Sequence, residues 1–371
     1  MNVPLLDLVA QYQTIRAEVL PALDVVIASQ QFIQGPAVSQ LETAVAGLSG
    51  ARHGIGCASG TDALLLPLKA LDLRPGDEVI TTPFTFFATA GAIHNAGGRP
   101  VFVDIDPVTF NIHPEAVAAA LGPRTRAVLP VHLYGQMAAM ERLEAAVQGA
   151  AIPLIEDACQ AIGARRTIQG TPCPAGARGW VAAFSFFPSK NLGAWGDGGM
   201  MVTSDDAAAE RLRRLRLHGG AKQYHHDEVG TNSRLDTLQA AVLLAKLPHL
   251  AAWSAARRDN AARYSAGLTD VPEVQVPVTD PANEHIFHQY TVRTGARDAL
   301  MRHLKTRGIG CAVYYPRPLH LQPCFAPLGY RAGQFPAAEQ AAAEVLSLPI
   351  YPELTADQID TVIDAVRSFF T

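Results

Sequence analysis

Apolar residues recur at helix-like spacing from Leu6 to Leu48 and are interrupted at Gln34-Gly-Pro36, which predicts two helices joined by a break. A short strand beginning near Gly54 ends at Ser59-Gly60-Thr61, where Leu64, Leu65, Leu68 and Leu71 take up helical spacing. Arg74-Pro-Gly-Asp-Glu reads as a turn, Val79-Ile80 as the start of a strand, and Pro83 to Thr89 as the lead into a helix. Further strands are predicted at Arg99 to Asp104, Ala127 to Tyr134, Ile152 to Asp157, Val181 to Phe187 and Met200 to Thr203. Ala207 to Leu217 predicts a helix. Strands alternating with helices imply an α/β fold with a mostly parallel central sheet flanked by helices, whose ligand site lies beyond the carboxyl ends of the strands. Leu235 to Ala266 predicts a long helical stretch, bent at Pro248 and stopped by Gly267. Beyond Pro272 the pattern changes. It predicts a strand at Tyr290 to Arg293, a helix from Asp298 to Arg307 stopped by Gly308, a strand at Cys311 to Tyr315, and helices from Pro336 and Thr355. The expected division is a large α/β domain over residues 1–248 and a smaller α+β C-terminal domain over residues 249–371.

With 371 residues, 49% hydrophobic and 17% charged, the chain can bury a large core. Its net charge of −4 comes without a basic run, which argues against nucleic acid or an anionic membrane as partner. The first residues lack a basic segment followed by an apolar run, and no stretch long enough to span a bilayer is free of charges and breakers. The five cysteines are scattered with no Cys-x-x-Cys pair, as expected of reduced thiols in a cytoplasmic protein. His225-His226-Asp227 is the one cluster with metal-like chemistry. Adjacent loop histidines share an ion poorly, so no metal is expected and the polar loop from His218 to Asp227 is read as a mobile segment near the substrate. No Gly-x-Gly-x-x-Gly follows a strand, which argues against a nicotinamide enzyme.

The chemistry centres on Lys190, which follows an apolar run and Pro188 and precedes glycines at 193, 196, 198 and 199. An amine enclosed this way has its pKa lowered and can attack an aldehyde to form a Schiff base. The same residues also suit a hairpin loop with an exposed lysine. Asp157, at a strand end, reads either as a charge partner for a cofactor or as a helix cap. Ser59-Gly60-Thr61 reads either as an anion cradle on a helix dipole or as plain N-capping.

The segment from Ser185-Phe-Phe-Pro-Ser-Lys190 to Leu192-Gly193, followed by Gly196-Asp-Gly-Gly199, resembles the Schiff-base lysine segment of the sugar aminotransferases of the DegT/DnrJ/EryC1/StrS family. Gly60-Thr-Asp-Ala-Leu64, Ile155-Glu-Asp-Ala-Cys-Gln160, Gly230-Thr-Asn-Ser-Arg-Leu-Asp236 and Tyr315-Pro-Arg-Pro-Leu-His320 extend the resemblance over nearly the whole chain. It implies a fold-type-I transferase that uses pyridoxal 5'-phosphate. Lys190 would hold the cofactor aldehyde and Asp157 would pair with its ring nitrogen. Gly60 and Thr61 would hold the phosphate, and Ser185 would also contact the cofactor. A flat ring needs a flat apolar partner, and Phe86 is expected to supply it in competition with Phe84 and Phe87. Gln160 would bond the ring hydroxyl. Asn232 would reach the phosphate of a neighbouring subunit, which implies a homodimer with shared sites, with Arg234 assisting. Tyr315 and His320 would face the substrate. The implied reaction moves an amino group from L-glutamate to a nucleotide-linked keto sugar. Gln160 points to a 3-keto acceptor, since many C4-aminating members carry histidine there. The alternatives are a 4-keto acceptor or a non-catalytic regulator. A related dehydratase is disfavoured because it replaces the lysine by histidine.

Overall fold

The computed structural model describes residues 1–220, 222 and 224–371. Helices α1 (Leu8–Ser29) and α2 (Pro36–Leu48) open the chain. Asp7 caps α1 by accepting a hydrogen bond from Ala10 N at 2.8 Å, and Pro36 at the first turn of α2 needs no N–H partner there. Next come β1 (His53–Cys57), α3 (Gly60–Lys69), β2 (Glu78–Thr81), α4 (Phe87–Asn95) and β3 (Arg99–Phe102). Helix α5 (Pro114–Ala120), β4 (Thr125–Val128), α6 (Met140–Val147) and β5 (Ile155–Asp157) follow. The hairpin β6 (Arg165–Ile168) and β7 (Thr171–Pro174) precedes β8 (Val181–Ser185), β9 (Gly199–Thr203) and α7 (Asp206–Leu215).

Strands β3-β2-β4 and β5-β8-β9-β1 form two hydrogen-bonded groups, joined where Val128 pairs with Leu154 and Val131 with Asp157. The resulting order is β3-β2-β4-β5-β8-β9-β1. Only β9 runs against its neighbours, because a short loop rather than a helix connects it to β8. That loop carries Lys190 and lies at the carboxyl end of β8. Strands β5, β8 and β9 are buried along their whole length, as a sheet covered on both faces requires.

Helices α8 (Thr237–Lys246) and α9 (Leu250–Leu268) are separated by one 3₁₀ turn at Leu247–His249, which accommodates the bend at Pro248. Gly267 does not stop α9. A Cβ there would lie 2.6 Å from Ile363 Cδ1, so the glycine permits close packing against the last helix. The C-terminal part adds β10 (Asn283–Glu284), β11 (Tyr290–Arg293), α10 (Arg297–Thr306), α11 (Pro336–Glu344), β12 (Val345–Leu348) and α12 (Ala356–Phe370). Strands β11 and β12 pair antiparallel under α9, α10 and α12, with Tyr264, Tyr290, Leu300, Leu346 and Val362 in their core. Val3 is also buried there and bridges Ile309, so the first residues pack with the last third of the chain.

One expectation for this part changes. The strand expected at Cys311 to Tyr315 reduces to one bridge from Ala312 to Ser347, because the Tyr314 carbonyl is taken by the Tyr134 hydroxyl instead of a strand neighbour. The hairpin β6–β7 and strand β10, which pairs with β6, gave no apolar alternation to find. Arg166 in β6 is buried and held by Glu141 (2.6 Å) and Asp280 (2.8 Å). Among the described residues, no helix is long and apolar enough to cross a membrane.

Candidate active site

The carboxyl ends of β5 and β8, the starts of α3 and α4, and the turn before β11 enclose a cavity of ≈ 430 Å³. Lys190 reaches it from the β8–β9 loop, which is held by bonds from Lys190 N to Phe187 O (2.8 Å) and from Ala194 N to Phe186 O (2.8 Å). Burial pushes the Lys190 amine below the usual 10.5, and the nearby Asp157 carboxylate opposes the shift.

Asp157 closes β5 on the cavity floor. Its Oδ2 accepts from Thr89 Oγ1 at 2.7 Å, and Thr89 lies 3.0 Å from the Thr85 hydroxyl. Its Oδ1 accepts from Cys159 N at 3.3 Å. The carboxylate is therefore oriented from two sides, by the first turn of α4 and by its own loop. Gln160 stands beside it. Its Oε1 accepts from Tyr134 N at 2.6 Å, which directs its Nε2 to donate to the Tyr315 hydroxyl at 3.0 Å. Burial and the Asp157 charge raise the Tyr315 phenol above its usual range, so it stands in the cavity wall as a neutral hydroxyl.

At the other end, Ser59 caps α3 by accepting from Asp62 N at 3.2 Å, and Ser233 ties the same turn down by donating to Asp62 at 2.7 Å. The N–H groups of Gly60 and Thr61 belong to the first turn, which has no intrahelical acceptors for them. A Cβ at Gly60 would lie 2.5 Å from Ser185 Cβ, so the backbone here approaches β8 as only glycine allows. Phe84 is fully buried in the core and Phe87 stacks on Phe325 at 5.6 Å. Phe86, 56% exposed, is the one of the three on the cavity wall.

Of the residues singled out in the sequence, Gly60, Thr61, Phe86, Asp157, Gln160, Ser185, Lys190 and Tyr315 line this one cavity. Three do not. His320 is 2% exposed, lies 3.1 Å from Glu339 and packs edge-on to Phe335, so it is a core residue and not a sugar contact within this chain. Asn232 is exposed and Arg234 half-buried, both away from the cavity of their own chain. The polar loop 218–227 includes Ala221 and Gln223, which lie outside the described residues. Among the described residues, no group of three or more His, Cys, Asp or Glu side chains is placed to hold a metal. The sequence reading missed Thr89, Ser233, Asn191 and His288. The first three are short polar residues within or beside the motifs, and what distinguishes them is their hydrogen-bond partners.

The fit to pyridoxal phosphate rests on this donor set. It comprises an amine of lowered pKa, a fixed carboxylate, an aromatic face, and a helix N-terminus with a glycine cradle for a phosphate. Fold and site together define a fold-type-I aminotransferase dependent on pyridoxal phosphate.

Residues 13–367 match the DegT/DnrJ/EryC1/StrS aminotransferase family, and the chain belongs to that family. It is 51% identical over 100% of its length, and 99% of the relative's, to a "pleiotropic regulatory protein" of Geobacillus stearothermophilus. It is 46% identical to the UDP-N-acetyl-3-dehydro-α-D-glucosamine 3-aminotransferase of Acidithiobacillus ferrooxidans, covering 98% of this chain and 97% of that one. Among solved structures, DesV of S. venezuelae in complex with a ketimine intermediate superposes with a TM-score of 0.96 at 45% identity, covering 99% of this chain and 98% of DesV.

Proposed function

We propose that this aminotransferase moves an amino group from L-glutamate to C3 of a nucleotide-linked 3-keto sugar. The observation that carries the reading is the placement of Lys190, Asp157 and Gln160 around one cavity whose wall also offers the neutral Tyr315 hydroxyl to a polyhydroxylated substrate. The 3-amination named for the Acidithiobacillus relative supports the choice of carbon. When bound, pyridoxal phosphate supplies an aldehyde that exchanges amines and a ring that accepts the electron pair released at the substrate carbon. Gly60 and Thr61 would hold its phosphate through N–H groups, Phe86 would cover its face, and Asp157 would pair with the ring nitrogen. Lys190 Nζ, in the same cavity, would take up the proton leaving the donor carbon and return one to the acceptor carbon. Its pKa, lowered by burial, makes the free base easier to reach than in an exposed lysine.

The exposure of Asn232 supports a homodimer in which this residue completes the partner's site. Mixed dimers of Lys190→Ala and Asn232→Ala should regain activity when subunits exchange, and proven exchange without activity would count against shared sites. The name of the Geobacillus relative favours a second, regulatory reading. The retention of Lys190 and Asp157 within the cavity weighs against a protein that has lost catalysis. The deciding experiment supplies glutamate with matched 3-keto and 4-keto nucleotide sugars and locates the new C–N bond by NMR. Amination at C3 is expected; amination at C4 alone would overturn the choice of carbon, and no amination of either would overturn the reading.

A further inference from the structure

The turn between β10 and β11 places a histidine in the cavity wall to which the roles above assign nothing. His288 Nδ1 lies 2.9 Å from Asn191 Oδ1. The Asn191 amide is itself oriented, because its Nδ2 donates to Ile286 O at 3.2 Å. Its Oδ1 is therefore an acceptor and His288 Nδ1 must carry the hydrogen. That leaves Nε2 as the ring's lone-pair nitrogen, and it has no hydrogen-bond partner among the described residues. Asn191 follows Lys190 directly in the chain, so the imidazole is tied to the segment that carries the reactive amine.

The backbone is held as firmly as the ring. The flanking N–H groups of Ile286 and Gln289 donate to Gly135 O (3.1 Å) and Tyr134 O (3.4 Å). Behind the turn, Arg257 Nη1 donates to Phe287 O at 3.1 Å and Ile350 O at 2.8 Å. Burial, with the positive charges of Lys190 and Arg257 behind it, keeps the ring well below the usual 6.5 and so neutral. The side chain lines the main cavity together with Lys190, Gln160 and Tyr315. A fixed neutral acceptor in a cavity whose Gln160 Nε2 and Lys190 Nζ are both donors is suited to a group that must donate.

We propose that His288, oriented by Asn191, accepts a hydrogen bond at Nε2 from a substrate hydroxyl beside the keto carbon, and so helps select the acceptor. This rests on the keto-sugar reading above. Its lowered basicity suits the ring to positioning and selecting substrate better than to taking a proton as a general base.

The test compares the two half-reactions of holoenzyme. Glutamate is followed by the cofactor's absorbance, and the keto sugar is offered with and without the hydroxyl adjacent to its ketone. His288→Phe should raise KM for the hydroxylated sugar about tenfold more than for glutamate, the value of one hydrogen bond between neutral partners. The same variant should discriminate little between the two sugars, while His288→Gln, which restores an acceptor, should recover part of the discrimination. In wild-type enzyme labelled at histidine with nitrogen-15, His288 should appear as the Nδ1–H form, and its Nε2 resonance should move on adding the hydroxylated sugar. Equal penalties in both half-reactions, equal loss with both sugars, or an Nε2 resonance unmoved by bound sugar would each overturn the proposal. A wild-type enzyme inactive with every keto sugar but normal with glutamate would instead remove the substrate reading on which it stands.

Discussion

Glu156 sits next to Asp157 with no exposed surface, and replacing it by glutamine isolates the contribution of one buried carboxylate. Its Oε2 accepts from His132 Nε2 (2.8 Å) and Gly176 N (2.8 Å), and its Oε1 from Arg178 N (3.0 Å) and Gly179 N (2.5 Å). All four partners donate. The histidine cannot change sides, because its Nδ1 already accepts from Ala138 N at 3.1 Å. A glutamine can satisfy the donors at one oxygen position only, whichever way its amide turns. The other two donors then face an NH₂ group. At about 1–3 kcal/mol for each unsatisfied buried donor, Glu156→Gln should cost about 2–6 kcal/mol, a large share of a domain's stability. Equilibrium unfolding in urea, with and without cofactor, measures it. The pH dependence has a definite sign. His132 and the loop amides outweigh burial and hold the Glu156 carboxyl below its ordinary 4.5, so the stabilisation is present above 4.5 and is lost as pH falls through the folded value. The gap between wild type and variant should therefore narrow in acid. A difference under about 1 kcal/mol at neutral pH would refute the claim that these four donors need a carboxylate.

Two further substitutions separate the halves of the site. Gly60→Ala places a Cβ 2.5 Å from Ser185 Cβ, so it should weaken cofactor binding by at least tenfold, as read by titration with pyridoxal phosphate, and should also lower the unfolding midpoint of apoenzyme. Thr89→Val removes the donor at 2.7 Å from Asp157 Oδ2 while keeping shape, and should lower kcat about tenfold with KM nearly unchanged, as steady-state kinetics would show.

The sequence made the frame legible where local and tertiary demands coincide. The Ser59 cap, the break at Gly35-Pro36 and the Thr355 capping box each put a chemical signal at an element's end, and the helices begin there. Apolar runs marked β8 and β9 because both faces of those strands are covered. What escaped were features held by partners remote in sequence. Hairpin β6–β7 is secured through the Arg166 ion pairs and not by apolar alternation. Gly267 looks like a helix stop until Ile363 is seen against it. His320 has the composition of a loop ligand, yet Glu339 and Phe335 draw it into the core. The catalytic motif was readable because Lys190 and its neighbours are contiguous, whereas Thr89 and His288 matter only for the atoms the fold brings beside them.

The charge balance at Lys190 yields a last expectation. Burial is the largest influence on its amine and lowers its pKa; negative charge at Cys159 and then at Asp157 opposes it. The Cys159 thiol cannot supply that charge at neutral pH, because burial and the Asp157 carboxylate raise it well above the ordinary 9.0. Asp157 is therefore the group that keeps the free Lys190 amine from losing its proton too readily, in addition to any role at the cofactor ring. Replacing Asp157 by asparagine should lower the Lys190 pKa further below 10.5. Apoenzyme reports this without the chemistry of the cofactor. The rate at which an amine-acylating reagent modifies Lys190, followed by peptide mass spectrometry across pH, rises with the unprotonated fraction, so its midpoint should move to lower pH in Asp157→Asn. Cys159→Ser should shift it far less. An unchanged or higher midpoint in Asp157→Asn would show that the carboxylate and the amine are not electrostatically coupled, and Asp157 would then retain no part in tuning Lys190.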